Sequence, residues 1–199
     1  MKYIGTFFLL FAFHLSFSQP NSINVIIQRM LKSSEVLRSA KFTLYTEERM
    51  KNGKFVLTNR FVKILTKPKE IYFYSVKPNP GTEIIWKEGW NNNKMMISPE
   101  SFPFITFSMN PNSSMARKDS HHSIRHLGFD NVFAGQAIKI PNFYCRKIEL
   151  YIERVHWLPL RQLISDQNGL YEKYEMKSFL LNPVFKTGEF SPEFEEYKF

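Results

Sequence analysis

Cysteine is almost absent from this 199-residue chain: Cys145 is the only one, so no internal disulfide can form. Glycine is scarce as well, at 8 residues, which argues against a P-loop or dinucleotide-binding enzyme, both of which need clustered glycines around a phosphate. No nucleophile elbow and no glycine-rich oxyanion loop occurs, so nucleophilic hydrolase chemistry has no sequence support. After the first twenty residues no apolar run approaches membrane-span length, and there is no internal repeat, low-complexity tract or linker. The composition, 43% hydrophobic and 23% charged, excludes a disordered chain, a collagen and a disulfide-stapled miniprotein. One core in one domain is the expectation for this length.

Aromatic residues, by contrast, are abundant: Phe 20, Tyr 9 and Trp 3. Six of them sit in the first seventeen residues, where Lys2 precedes an apolar stretch from Ile4 to Phe13 and Ser16-Phe17-Ser18 offers small residues to a signal peptidase. This predicts a signal peptide over residues 1–18, cleaved after Ser18, and an exported domain over 19–199; an uncleaved membrane anchor is the competing reading. The formal charge is +9, and residues 22–70 carry most of the excess, whereas Glu189, Glu193, Glu195 and Glu196 make the end acidic. A basic half on an exported protein suits an anionic membrane surface, and export argues against nucleic acid as a partner.

Ser22 to Ala40 reads as a helix with Ile23, Ile26, Ile27, Met30 and Leu31 on one face. The period then changes to two, and Asn52-Gly53 signals a hairpin. With those two residues as the turn, Leu44 faces Phe61, Tyr45 faces Arg60, and Phe42, Leu44, Phe61 and Leu65 share the apolar face. Strands follow over Glu70–Val76, Thr82–Trp86 and Lys94–Ile97, the first with bulky residues on both faces. Residues 113–140 form a short helical insert: Ser120 caps a helix carrying Ile124 and Leu127, and Asp130 caps one carrying Phe133. Strands resume over Phe143–Glu153, Leu158–Ser165 and Leu170–Leu180. The aromatic tail beyond Pro183 is expected to drape over an opening. The expected fold class is α+β: a long curved antiparallel sheet forming a half-open β-barrel, with an N-terminal helix and short lid helices.

Several segments carry a resemblance. Phe42-Thr43-Leu44-Tyr45 leads from the amphipathic helix into the Asn52-Gly53 hairpin; Pro68-Lys69-Glu70-Ile71-Tyr72-Phe73 opens a later strand; Leu158-Pro159-Leu160-Arg161, Asp166, Gly169 and Tyr171-Glu172-Lys173-Tyr174 outline a late hairpin. This organisation resembles the LolA-like superfamily of periplasmic lipoprotein carriers. It is closest to an exported branch with a His-x-Ile-x-x-x-Gly stretch, here His122 to Gly128, and one cysteine before the Leu-Pro hairpin. The resemblance implies a periplasmic location and a hydrophobic interior that receives acyl chains under a helical lid. A hydrophobic ligand or a lipidated protein is then the partner, and an envelope protein is the alternative.

The chemistry-bearing residues are few. His122 and His126, four apart, would share a helical face with His121 beside them, but no third ligand is evident nearby and Arg125 adds charge. The expectation is therefore a polar lid bonded to the sheet rim, with no metal, cofactor or catalytic residue. Glu47 and Glu48 are adjacent on a strand and point to opposite faces. Cys145 is expected to be a small buried hydrophobe. What remains is the apolar face: Phe42, Leu44, Phe61, Ile71, Phe73, Ile84 and Trp86 as cavity wall, with Ile124, Leu127 and Phe133 on the lid. Three readings follow: a carrier with a guest in the half-barrel, an interaction module of the same fold without one, and, behind these, a metalloprotein or hydrolase built on the histidine cluster.

Overall fold

The structure, a computed structural model, describes residues 23–102, 104–129 and 145–199. The expected leader, the helix start at Ser22, and Phe133 with its Asp130-capped helix lie outside the described residues.

The first helix, α1, runs Ile23–Val36 and is shorter than its apolar pattern predicts. Neighbouring chain captures the residues that follow. Thr66 donates its hydroxyl to the Leu37 carbonyl (2.7 Å) and its N–H to the Arg38 carbonyl, while the Asn182 side chain accepts from Arg38 N–H at 2.8 Å. These bonds draw residues 37–39 into extended backbone. Met30 is the buried residue of α1, and the Arg29 guanidinium lies 4.6 Å over the Trp157 ring.

Nine strands follow: β1 (Ser39–Arg49), β2 (Phe55–Thr66), β3 (Lys69–Lys77), β4 (Glu83–Lys87), β5 (Met95–Ser98), β6 (Phe107–Met109), β7 (Lys147–Ile152), β8 (Pro159–Asp166) and β9 (Gly169–Leu181). They form one antiparallel sheet in the order β6-β5-β4-β3-β2-β1-β9-β8-β7. Two meanders therefore join where β9 pairs with β1, and β6 and β7 are left as the two edges. In a flat sheet β5 and β7 would stand about 34 Å apart, seven steps of roughly 4.8 Å. Met95 of β5 and Ile148 of β7 nevertheless border the same cavity, so the sheet is curled into a half-open barrel.

The first hairpin differs from its predicted register by one residue. Met50 N–H donates to the Lys54 carbonyl (2.9 Å) and Gly53 N–H to the Met50 carbonyl (2.8 Å), closing a three-residue loop, Lys51-Asn52-Gly53. Gly53 takes the left-handed conformation at φ +77° that such loops require. Leu44 consequently pairs with Arg60, and Tyr45 with Asn59. A slip of one residue moves every side chain of β2 to the other face. The concave face receives Val62 and Ile64, both buried, and Phe61 goes to the convex side.

Both faces of the sheet are covered. Phe42, Leu44, Val62, Ile64, Ile71, Phe73 and Trp86 form the concave core, with Phe129 edge-on to Phe42 at 5.8 Å. On the convex face Tyr72, Ile85 and Phe190 are buried among Phe61, Leu65, Tyr74, Phe185, Tyr197 and Phe199. The tail thus roofs the outside of the sheet rather than the opening expected from its sequence. Tyr197 stacks on Tyr72 at 4.0 Å, and Lys63 Nζ reaches Glu189 at 2.6 Å. The register explains this outcome, since the outward residues of β2 and β3 are aromatic and need their own cover.

The insert is not α-helical within the described residues. Turns occupy 111–119, and Ile124–His126 is a single 3₁₀ turn capped by Ser123, not Ser120. Cys145 lies just ahead of β7, half-buried, its Sγ 3.2 Å from the Lys147 carbonyl, rather than inside a strand pattern. Burial pushes its thiol up, against the thiolate character a nucleophile requires.

Candidate functional site

Alternation along β1 grades the concave face from apolar to polar. Phe42 and Leu44 come first, then Thr46 and Glu48 toward the hairpin end. The partner strands match this gradient. Leu44 stands beside Arg60 of β2 and Met176 of β9, Thr46 beside Thr58 and Tyr174, and Glu48 beside Glu172.

Over the apolar part lies a cavity of about 320 Å³. Leu44, Phe73, Ile84, Met95, Ile148, Leu160 and Met176 of the sheet border it from below, and Ala116, Ile124, Leu127 and Gly128 of the 111–128 segment border it from above. Arg60 enters the wall between these surfaces, its guanidinium 5.3 Å over the Phe73 ring. Burial pulls its pKa down, against the attraction of Glu48, Tyr174 and Asp119. No hydrogen bond or ion pair from Arg60 to another described residue is formed. An always-protonated guanidinium facing an apolar space is a ready partner for a buried anion.

At the polar end two carboxylates face each other. Glu48 and Glu172 are register partners on adjacent strands, and both are 0% exposed. Like charges directly opposite in a sheet are destabilising, and burial compounds the cost. The loop at residues 120–122 covers both. Ser120 Oγ donates to Glu48 Oε1 (2.9 Å) and His121 N–H to Glu48 Oε2 (2.5 Å). His121 Nδ1 lies 2.7 Å from Glu172 Oε1, and His122 Nε2 lies 3.1 Å from Glu172 Oε2. His121 also stacks on Tyr171 at 4.6 Å.

The electrostatics of this end are coupled. Burial pulls His122 down, but the hydrogen bond and charge of Glu172, with Glu48 behind it, outweigh burial and leave the imidazole raised. Burial pushes the Glu172 carboxyl up, and the bonds from His122 and His121 more than reverse this. His126 is depressed by its own burial and by the positive charge of His122, Lys69 and Arg125.

Of the residues predicted as cavity wall, Leu44, Phe73 and Ile84 border the cavity, while Phe42, Ile71 and Trp86 lie in the core packed around it. Phe61 is on the convex face, for the register reason given above. Of the predicted lid residues, Ile124 and Leu127 border the cavity, and Phe133 falls outside the described residues. His122 and His126 share no helical face; their rings stand 6.5 Å apart edge-on, and His122 turns to Glu172 instead. Glu48, Glu172 and Arg60 escaped sequence reasoning as site residues. The only signal for them was a carboxylate or guanidinium at an inward position of an otherwise apolar strand, and it becomes legible once the register is known.

Sequence comparison finds no match among curated proteins. Several solved structures are similar to this chain. A DUF1329 family protein from Desulfovibrio piger aligns over 84% of this chain and 96% of its own, with TM-score 0.48 and 9% identity. A putative outer membrane lipoprotein-sorting protein domain from Vibrio parahaemolyticus aligns over 84% and 95%, with TM-score 0.46 and 11% identity. A LolA superfamily protein from Nitrosomonas europaea aligns over 81% and 96%, with TM-score 0.43 and 12% identity. A family model described as a protein of unknown function, DUF1571, matches residues 38–147, which run from the start of β1 to the start of β7. On that match the chain belongs to the DUF1571 family.

Proposed function

We propose that this protein is an exported, periplasmic binding protein that holds an acyl chain or a comparable hydrophobic ligand in the cavity of its curled sheet. The observation that carries this reading is the cavity of about 320 Å³, walled largely by aliphatic and aromatic side chains, with the Arg60 guanidinium, which has no hydrogen-bond or ion-pair partner among the described residues, in its wall beside Arg161. Ligand sites span about 300–1,000 Å³ and combine apolar walls with placed polar groups; here the apolar wall leads to a polar end at His122, Gln162 and Glu172. Each methylene buried contributes about 0.8 kcal/mol, so a long chain supplies on the order of 10 kcal/mol without any catalytic group. Arg60 refines the class to an amphiphile whose anionic head meets the guanidinium while its tail follows Leu44, Phe73 and Ile84. The basic surface of the N-terminal half would bring the protein to anionic lipid. The test is gentle purification from the native envelope, solvent extraction and mass spectrometry, together with uptake of a fluorescent fatty acid. Co-purifying lipid, and uptake abolished by Ile84→Trp, are expected. Absence of both lipid and uptake in the folded protein would overturn the reading.

A second reading, docking onto an envelope protein, is favoured by one observation. Phe102, Phe104 and Ile105 are 86%, 70% and 62% exposed beside the edge strand β6, an apolar patch that no described residue covers. Crosslinking in the periplasm should capture one dominant protein, and Phe102→Ser with Phe104→Ser should abolish its capture. The tail does not serve as this contact, because Phe190 is buried against the sheet.

A further inference from the structure

The buried glutamate pair poses a question the cavity does not answer. An antiparallel sheet gains nothing from carboxylates directly opposite each other at 0% exposure. Three atoms converge there: Glu48 Oε2, Glu172 Oε1 and His121 Nδ1, all within 4.8 Å of one another. His121 Nδ1 is 2.7 Å from the Glu172 oxygen and 3.7 Å from the Glu48 oxygen. Tetrahedral ligand atoms around an ion at about 2.0–2.2 Å stand roughly 3.4 Å apart, between these two separations.

We propose that Glu48, His121 and Glu172 bind a first-row divalent transition-metal ion. The hydrogen bonds around the three residues orient the carboxylates, and the Glu48 oxygen nearer the convergence point, Oε2, also accepts the His121 N–H. Each carboxylate turns one oxygen toward the convergence point and has the other held: Glu48 Oε1 by the Ser120 hydroxyl and Glu172 Oε2 by His122 Nε2. Outer partners of this kind fix ligand orientation in metal sites. Binding through Nδ1 requires the neutral His121 tautomer that carries its proton on Nε2, any proton on Nδ1 passing to Nε2 or to solvent. Two carboxylates and one neutral imidazole give a net charge of −2, which a divalent cation neutralises. The donor set, one nitrogen and two oxygens, suits zinc, manganese or iron better than calcium or copper(I). Sequence inspection of the histidines found no third ligand because two of the three lie on β1 and β9, remote in sequence from the loop. The bound ion would staple that loop to the sheet at the polar end of the cavity. The site does not depend on the cavity holding a lipid.

The experiment uses the exported full chain, freed of tag and metal, titrated with Zn²⁺ alone by calorimetry and by thermal unfolding. One ion per chain at micromolar or tighter affinity and a zinc-dependent rise in Tm are expected. His121→Ala and Glu172→Gln should each weaken binding at least tenfold and remove the rise, whereas His156→Ala, at an exposed histidine, should change neither. Co²⁺ on the unsubstituted chain gives a readout that needs no variant: an intense visible band of four- or five-coordinate cobalt, displaced by Zn²⁺. Binding weaker than about 100 µM with no such band would overturn the proposal, and so would zinc affinity left unchanged by both substitutions.

Discussion

At the residue scale, position on one face or the other decides the outcome of a substitution. Phe42 is fully buried and edge-on to Phe129, so Phe42→Ala should cost about 3–5 kcal/mol in denaturant unfolding. Arg60 makes no hydrogen bond within the described protein, so replacing it removes little of the fold and much of a ligand's anchor. A charge-assisted hydrogen bond contributes about 1.5–3 kcal/mol; Arg60→Leu should therefore weaken fatty-acid binding roughly ten- to hundredfold while a fatty alcohol binds nearly as before. Equal losses for acid and alcohol would remove the head-group role. Alternation put Ile71, Phe73, Ile84 and Trp86 on one apolar face, and the sheet turns all four to its concave side, Phe73 and Ile84 into the cavity wall and Ile71 and Trp86 into the core around it. Alternation failed at Phe61, which is as apolar as its neighbours and gave no sign of facing outward. The pairing of Glu48 with Glu172 could not be read from the chain at all, because it needs a contact between strands more than a hundred residues apart.

At the element scale, turn chemistry sets register. The dipeptide Asn52-Gly53 marked the hairpin correctly, but not whether the loop held two residues or three, and that single residue decides which face of β2 is buried. Gly53 has no neighbour within 4 Å of where a Cβ would stand, yet its φ is +77°, so Gly53→Ala should cost about 1 kcal/mol through the backbone alone. The helix ended early for a similar reason: bonds from Asn182 and Thr66, invisible in a local pattern, claim residues 37–39. The tail shows the same limit, since its aromatics advertised a docking segment without saying against which face. Lys63 is nearly enclosed by Glu189, Tyr72 and Tyr197. Breaking a buried pair from one side costs about 3–5 kcal/mol, and Lys63→Ala should lower stability by that order. Because the tail lies on the convex side, this variant should still take up ligand below its melting temperature. Loss of uptake in the folded variant would show that the tail acts on the cavity.

At the scale of the whole molecule, charge and topology are the relevant quantities. A formal charge of +9, most of it in the first third, predicts association with vesicles rich in anionic lipid. Screening shortens from about 10 Å at 0.1 M salt to about 3 Å at 1 M, so sedimentation with such vesicles should fall steeply over that range. Salt-independent association would point to insertion of the Phe102–Ile105 patch instead. The overall architecture was the most legible level, because a helix followed by two meanders leaves few compact arrangements. The strand order adds a consequence of its own. The chain leaves the sheet at one edge, β6, and re-enters at the opposite edge, β7, and part of that crossing lines the cavity. The described part of that crossing, residues 110–129, meets the sheet at Glu48 and Glu172 and roofs the cavity through Ala116, Ile124 and Leu127, so whatever frees residues 120–122 from the two carboxylates also lifts the cover off the bowl of the sheet.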